Sequence, residues 1–194
     1  MSPALANDAY DQLYRRYDYP AQLSRSAVPV CFHHGCESIA RVPISDAQWQ
    51  QVSRHLQPPA ADAAREREQI RQAIAEMERV TGALAGTSGD IGGDLGGFGT
   101  LAPQMDCIDE SANTTTYLSL LEQAGLLRWH RVEPRASRGY LFFGGWPHYT
   151  ALIREIQTGG QWVVDSWFHD NGAPPEVLDL KTWKSGWKPK GFTF

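Results

Sequence analysis

Residues 104–118, QMDCIDESANTTTYL, set one cysteine among three carboxylates, Asp106, Asp109 and Glu110. Anions beside a thiol disfavour the thiolate, so the placement needs a physical reason. Helix-start signals supply one. With Asp106 as N-cap and Asp109 at the third helical position, the acids satisfy free N–H groups and oppose the positive end of the dipole. Cys107 is then the first helical residue, over that positive end, where a thiol pKa falls. The same helix end can offer backbone N–H groups to a developing oxyanion. The helix is predicted over residues 107–124, closed by Gly125 at C′. Cys107, Ser111, Thr114, Leu118 and Leu121 recur at helical spacing, while Ala112, Asn113 and Thr115 keep the other flank small. Short side chains all round suit a helix packed inside the fold.

Upstream, Tyr10, Leu13, Tyr14 and Tyr17 form a helical stripe ended by Pro20. AVPVCFHHGCESIARVPI (27–44) reads as two short strands around His33-His34-Gly35. Ser45-Asp-Ala-Gln48 is a capping box before Trp49, Val52 and Leu56, and Pro58-Pro59 ends that short helix. A longer helix is predicted from Ala60 to about Leu84, with Ile70, Ile74, Met77 and Leu84 on one face. GTSGDIGGDLGGFGT (86–100) then reads as a long loop, because so much glycine cannot continue a helix. Its two Gly-Asp-x-Gly-Gly units are too few for a calcium-binding β-roll.

Downstream, only strands are expected: around Leu127–Val132, Tyr140–Phe143, His148–Ile156 and Trp162–Trp167, the last two joined through Gly159-Gly160. Helices first and an antiparallel sheet afterwards indicate an α+β fold. The 194 residues suit a single domain: N-terminal helices and hairpin (1–85), a Gly-rich loop (86–100) and a core (101–194).

A net charge of −4 argues against nucleic acid as the partner. No run approaches the ~18 apolar residues of a transmembrane segment. Cys31 and Cys36 lie close together and Cys107 stands alone. One short disulfide plus a free thiol suits an exported protein with its signal removed; three free thiols suit a cytoplasmic one. Ala4-Leu5-Ala6 has the form of a cleavage-site end, without the basic and apolar regions that precede one. Cys31, His33, His34 and Cys36 are all zinc-ligand types, but they crowd one tight turn rather than two separated pairs, so no metal is expected. Six of seven tryptophans fall at or after position 129, where aromatics fill a core or line a cleft. Trp183 and Trp187, in the Lys-rich end, are expected to pack on the domain with the lysines in solvent.

A nucleophilic thiol needs a base, and the base needs an orienting group. His148, in GGWPHYTALIREI (144–156), stands at the mouth of a strand, and Asp165, in QWVVDSW (161–167), on the returning one. A two-residue turn at Gly159-Gly160 would set Asp165 opposite Arg154 and bring Asp170 to face His148, so Asp170 is a reserve orienter. Taken singly, Cys107 reads as a small buried hydrophobe, His148 as a hydrogen-bonded strand end and Asp165 as a turn residue.

Cysteine on a helix, then histidine and aspartate on strands, resembles the papain-like/transglutaminase-like superfamily of thiol enzymes. Bacterial transglutaminase-like cysteine peptidases carry an Asp-Cys-x-Asp segment at the nucleophile; Asp106-Cys107-Ile108-Asp109 has that form, and the His-to-Asp separation is similar. Asp165-Ser166-Trp167 is similar to the Asn-Ser-Trp of papain-type enzymes. The resemblance covers roughly residues 100–170. It implies a central helix bearing the cysteine packed on an antiparallel sheet, and a Cys107-His148-Asp165 triad acting on a peptide or protein substrate. Peptidase or amidase activity is the first expectation, transglutaminase activity the second, and an inactive binding or scaffolding domain the alternative. Gln104 would add an amide to the oxyanion hole, Asp106 would support it, and Trp146 and Trp167 would line a groove. Ile108 stands where some relatives place a calcium-binding acid, and Met105 where a glycine is common, so no cofactor is expected.

Overall fold

The computed structural model describes residues 8–94, 103–139 and 147–192. In chain order the elements are α1 (Asp8–Arg16), β1 (Val28–Phe32), β2 (Ser38–Val42), α2 (Asp46–Ser53) and α3 (Ala63–Ala85). They continue with α4 (Cys107–Gln123), β3 (His130–Arg138), β4 (His148–Glu155), β5 (Gln161–Asp165), β6 (Glu176–Asp179) and α5 (Leu180–Lys184). The chain is α+β: β1 and β2 form a hairpin, and β3-β4-β5-β6 form an antiparallel sheet in sequence order. Helix α4 touches both, meeting β1 in the hairpin and β3, β4 and β5 in the sheet. All its residues from Asp109 to Leu121 are buried, as its small side chains predict. Leu13, Val30, Ile74, Leu118, Ile153 and Val164 belong to one hydrophobic core spanning both halves of the chain.

Local signals account for most boundaries. Ser45 and Gln48 form the predicted capping box of α2. Helix α3 starts after Asp62, whose side chain accepts from Arg65 N at 2.7 Å, and stops at Gly86 in the left-handed region. Its stripe holds at Ile70, Ile74 and Met77, whereas Leu84 in the last turn is exposed. Strand β3 begins later than expected and runs further. A bulge between Glu133 and Ala136 takes up Pro134, which has no N–H for the ladder. The expected strand at Tyr140–Phe143 lies outside the described residues. The chain after α4 is not strands alone. Asp179 ends the short edge strand β6 and accepts from Thr182 N at 2.9 Å, so its own cap starts α5.

The hairpin turn is backbone-strained. His33, His34, Gly35 and Cys36 all have φ between 61° and 66°, and three of them carry side chains. The Cys31–Cys36 disulfide spans the turn. Asp109 holds it from α4, accepting from His34 N at 2.8 Å and Cys36 N at 2.6 Å. One turn further along α4, the Asn113 amide pairs with both backbone groups of Cys31, at 2.7 and 2.9 Å. The cysteine-bearing helix is thereby bolted to the hairpin.

The described part of the Gly-rich loop crosses the sheet side of the site. Gly93 N donates to Trp167 O at 2.7 Å, and Gly92 N donates to Asp170 Oδ1 at 3.0 Å. A β-carbon on Gly92 would stand 2.5 Å from the His169 backbone. Gly92→Ala is therefore expected to displace the loop and cost about 1–3 kcal/mol, as overpacking does. A lower urea midpoint with faster proteolysis near residue 92 would bear this out; an unchanged midpoint would refute it.

Candidate active site

Helix α4 begins as the sequence predicts. Asp106 accepts from Ile108 N at 2.9 Å and Asp109 N at 3.0 Å, and Asp109 accepts from Asp106 N at 3.2 Å. Cys107 is the first helical residue, 7 % exposed, in a cluster with Trp167 and Phe168. Its Sγ donates to Pro147 O at 3.8 Å and also meets the Tyr149 N–H, so the sulfur contacts the chain on both sides of His148. The expected fall in thiol pKa is overturned. Burial pushes the Cys107 thiol up to about 12, against the pull of the Tyr149 N–H, and the charges of Asp106 and Asp165 add to the rise. Loss of hydration outweighs the helix dipole here.

His148 Nε2 and Asp165 Oδ2 are 2.8 Å apart, both residues buried. The register explains how they meet. Arg154 pairs with Gln161 and Ala151 with Val164, so the next step sets Asp165 beside Thr150, a diagonal neighbour of His148 on one face. The turn is wider than the two residues expected: Glu155 N donates to Gly160 O at 2.8 Å, leaving residues 156–159 as the loop. Asp170 is thus not brought to His148; it is exposed and holds Gly92.

Against an ionised carboxylate, which only accepts, a neutral imidazole carries its hydrogen on Nε2 and leaves a lone pair on Nδ1. That Nδ1 is buried and has no hydrogen-bond partner among the described residues. Aromatic rings enclose the imidazole: Trp167 at 4.8 Å, Phe168 at 5.4 Å and Trp183 at 5.4 Å between centroids. Trp167 is 3 % exposed, with Nε1 donating to Asp94 O at 2.9 Å; it walls the histidine rather than an open groove. Trp146 lies outside the described residues.

Gln104 is also placed differently from expectation. Its Nε2 donates to Gly89 O at 3.0 Å and its Oε1 accepts from Ile91 N at 3.0 Å. The amide anchors the Gly-rich loop instead of facing the sulfur. Cys31 and Cys36 form a disulfide. With Asp109 they bring ligand-type atoms within 4.8 Å of one another, but the sulfurs are bonded to each other and the carboxylate holds backbone N–H groups. His33 and His34 turn to Ser38 and Asp94, each at 3.0 Å.

No family model matches the chain, and no curated protein or solved structure matches it significantly. Among the described residues no helix is long and apolar enough to cross a membrane.

Three features carry no signal in the sequence. Trp183 Nε1 donates to Asp165 Oδ2 at 2.7 Å, from a helix 18 residues further along the chain. The hairpin turn rests on Asp109. Glu110 on α4, Glu78 on α3 and Asp90 form a buried carboxyl cluster. Asp90 is hydrogen-bonded to Glu110 and Glu78 to Ser166, while Glu78 Oε1 and Glu110 Oε2 are buried without a partner among the described residues. Burial raises all three carboxyls, and their proximity to other acids adds to the rise. The cluster is stable as shared protons rather than as three charges.

Proposed function

We propose that this protein is a thiol-dependent acyl-transfer enzyme, a cysteine peptidase or amidase with a papain-like/transglutaminase-like core. One observation carries the reading. His148 gives Nε2 to Asp165 and keeps Nδ1 bare, while the Cys107 sulfur rests against the residues on either side of that histidine. Nucleophile, base and orienting group are the three parts such chemistry requires.

The buried thiol is costly to ionise alone, so its proton passes to His148 Nδ1 as the sulfur attacks a carbonyl carbon. The imidazolium then lies against Asp165, which offsets its charge. The Cys107 N–H, in the first turn of α4, is a backbone donor available to the oxyanion. When the intermediate collapses, the C–N bond breaks and Nδ1 returns the proton to the leaving amine. A water then adds to the thioester, Nδ1 takes its proton, and the acid leaves as the thiol re-forms. Hydrolysis ranks above transamidation because water needs no second amine pocket. The Cys31–Cys36 bond favours an oxidising compartment.

The test is the alkylation rate of Cys107 against pH in wild type and His148→Ala, read by peptide mass spectrometry. Because the buried thiol gives up its proton only to that base, His148→Ala should slow labelling tenfold or more at neutral pH. Labelling near an ordinary thiol pKa of about 8.5, indifferent to His148, would sink the triad. A binding or scaffolding role has one observation in its favour, the 7 % exposure of Cys107. That role predicts that Cys107→Ala leaves function intact.

A further inference from the structure

Trp183 belongs to α5, a single turn that packs against β5 and β6. The residue is fully buried, yet its indole carries a polar N–H that must find an acceptor. The acceptor is the carboxylate oxygen that already takes His148 Nε2–H: Asp165 Oδ2, at 2.7 Å from the indole and 2.8 Å from the imidazole. Arg138, at the end of β3, stacks over the same indole with its guanidinium carbon 4.3 Å from the ring centroid. It also donates to the Trp183 carbonyl. A cation on the ring face draws electron density from the indole and strengthens its N–H as a donor.

We infer that Trp183 is a positioning residue: its N–H fixes the Asp165 carboxylate and limits how tightly that carboxylate holds the proton of His148. Two donors share one oxygen, so each weakens the other's bond. Without the indole hydrogen, Asp165 would turn its full basicity on the imidazole. The base would then keep its proton to higher pH and return to service less readily. Among the described residues, Asp165 on β5 faces the imidazole directly, Arg138 on β3 acts on Asp165, and at the head of α4 Cys107 feels the charges of both Asp106 and Asp165. Helix α5 adds the neutral indole.

The catalytic consequence rests on the acyl-transfer reading; the measurement does not, because it follows His148 alone. The His148 imidazole is titrated by NMR in the full chain, with Trp183 native, replaced by benzothienylalanine, or changed as Trp183→Phe. Benzothienylalanine keeps the shape and exchanges the N–H for sulfur. Its expected effect is a rise of about one unit in the His148 midpoint, the worth of one hydrogen bond to a charged group. Thermal stability should change little, and Trp183→Phe should move the midpoint the same way. An unmoved midpoint in a folded isostere would reduce Trp183 to packing and overturn the inference. Should neither variant fold, the wild-type indole N–H decides: slow exchange and a downfield resonance support the bond to Asp165, and rapid exchange refutes it. If the midpoint moves while Cys107 ignores His148, the clamp stands and the enzyme reading falls. If Cys107 depends on His148 while the midpoint stays fixed, Trp183 alone is dismissed.

Discussion

Asp109→Ala is expected to lower the unfolding free energy by about 3–5 kcal/mol, the sum of a lost cap and several buried N–H groups left unpaired. The carboxylate accepts from Asp106 N at 3.2 Å, His34 N at 2.8 Å and Cys36 N at 2.6 Å. The first of these closes the capping box of α4, and the other two hold a turn in which His33, His34, Gly35 and Cys36 are left-handed. Asp109 is fully buried, so the N–H groups it leaves do not face bulk solvent. Burial, with Asp106 alongside, pushes its carboxyl up to about 7. The comparison is therefore made by urea denaturation near pH 8, where the carboxylate is ionised. Asp109→Asn, which keeps one acceptor oxygen, should lose about half as much. An alanine variant within about 1 kcal/mol of wild type would show that the turn holds itself through the disulfide.

The start of α4 could be read from its own letters because a cap is a local interaction: Asp106 and Asp109 act within one turn. The buried body of that helix was equally plain, since residues 111–116 all carry short side chains. His148 and Asp165 stood out by their places on the two strands, but Asp165 was preferred to Asp170 only through the likeness of Asp165-Ser166-Trp167 to a family motif, because local turn rules pointed to Asp170. Gly159 is indeed a turn residue, with φ 74°, but it ends a four-residue loop rather than opening a two-residue one. Glycine pairs mark where a chain may reverse, not where the ladder resumes. The thiol was misjudged for a related reason: a helix dipole is visible in one segment, whereas desolvation is imposed by Trp167, Phe168 and the rest of the fold. Gln104 illustrates the same gap. Its amide suits an oxyanion, yet the fold sets it beside the Gly-rich loop, and two backbone groups there claim it first.

Stability is expected to fall as pH rises from about 5 to 8, and Glu110→Gln should remove much of that fall. In the folded chain burial lifts Glu78 from 4.5 to about 7 and Asp90 from 3.8 to about 7. Glu110 lies well above 4.5, through burial first and then the charges of Glu78 and Asp90. A carboxyl raised by folding binds its proton more tightly in the native state than in the unfolded one. Its contribution is complete below the unfolded value and is lost as pH climbs through the folded value. For one such group a rise of this size is worth on the order of 3 kcal/mol. The acid groups cannot all ionise together, since two of their oxygens already lack partners among the described residues. Glutamine at position 110 keeps the size and hydrogen-bonding hydrogens of the neutral acid and never acquires charge. Wild type and variant should therefore unfold at similar urea concentrations near pH 5, and the variant should be more stable by about 2 kcal/mol near pH 8. Glu110 stands one turn after Cys107, and Glu78 bonds to Ser166 next to Asp165, so ionisation strains the floor of the candidate site itself. Parallel losses in the two proteins would mean that Glu110 does not govern the transition. A wild type that gains stability between these pH values would mean that the cluster is already ionised and held by a counter-charge.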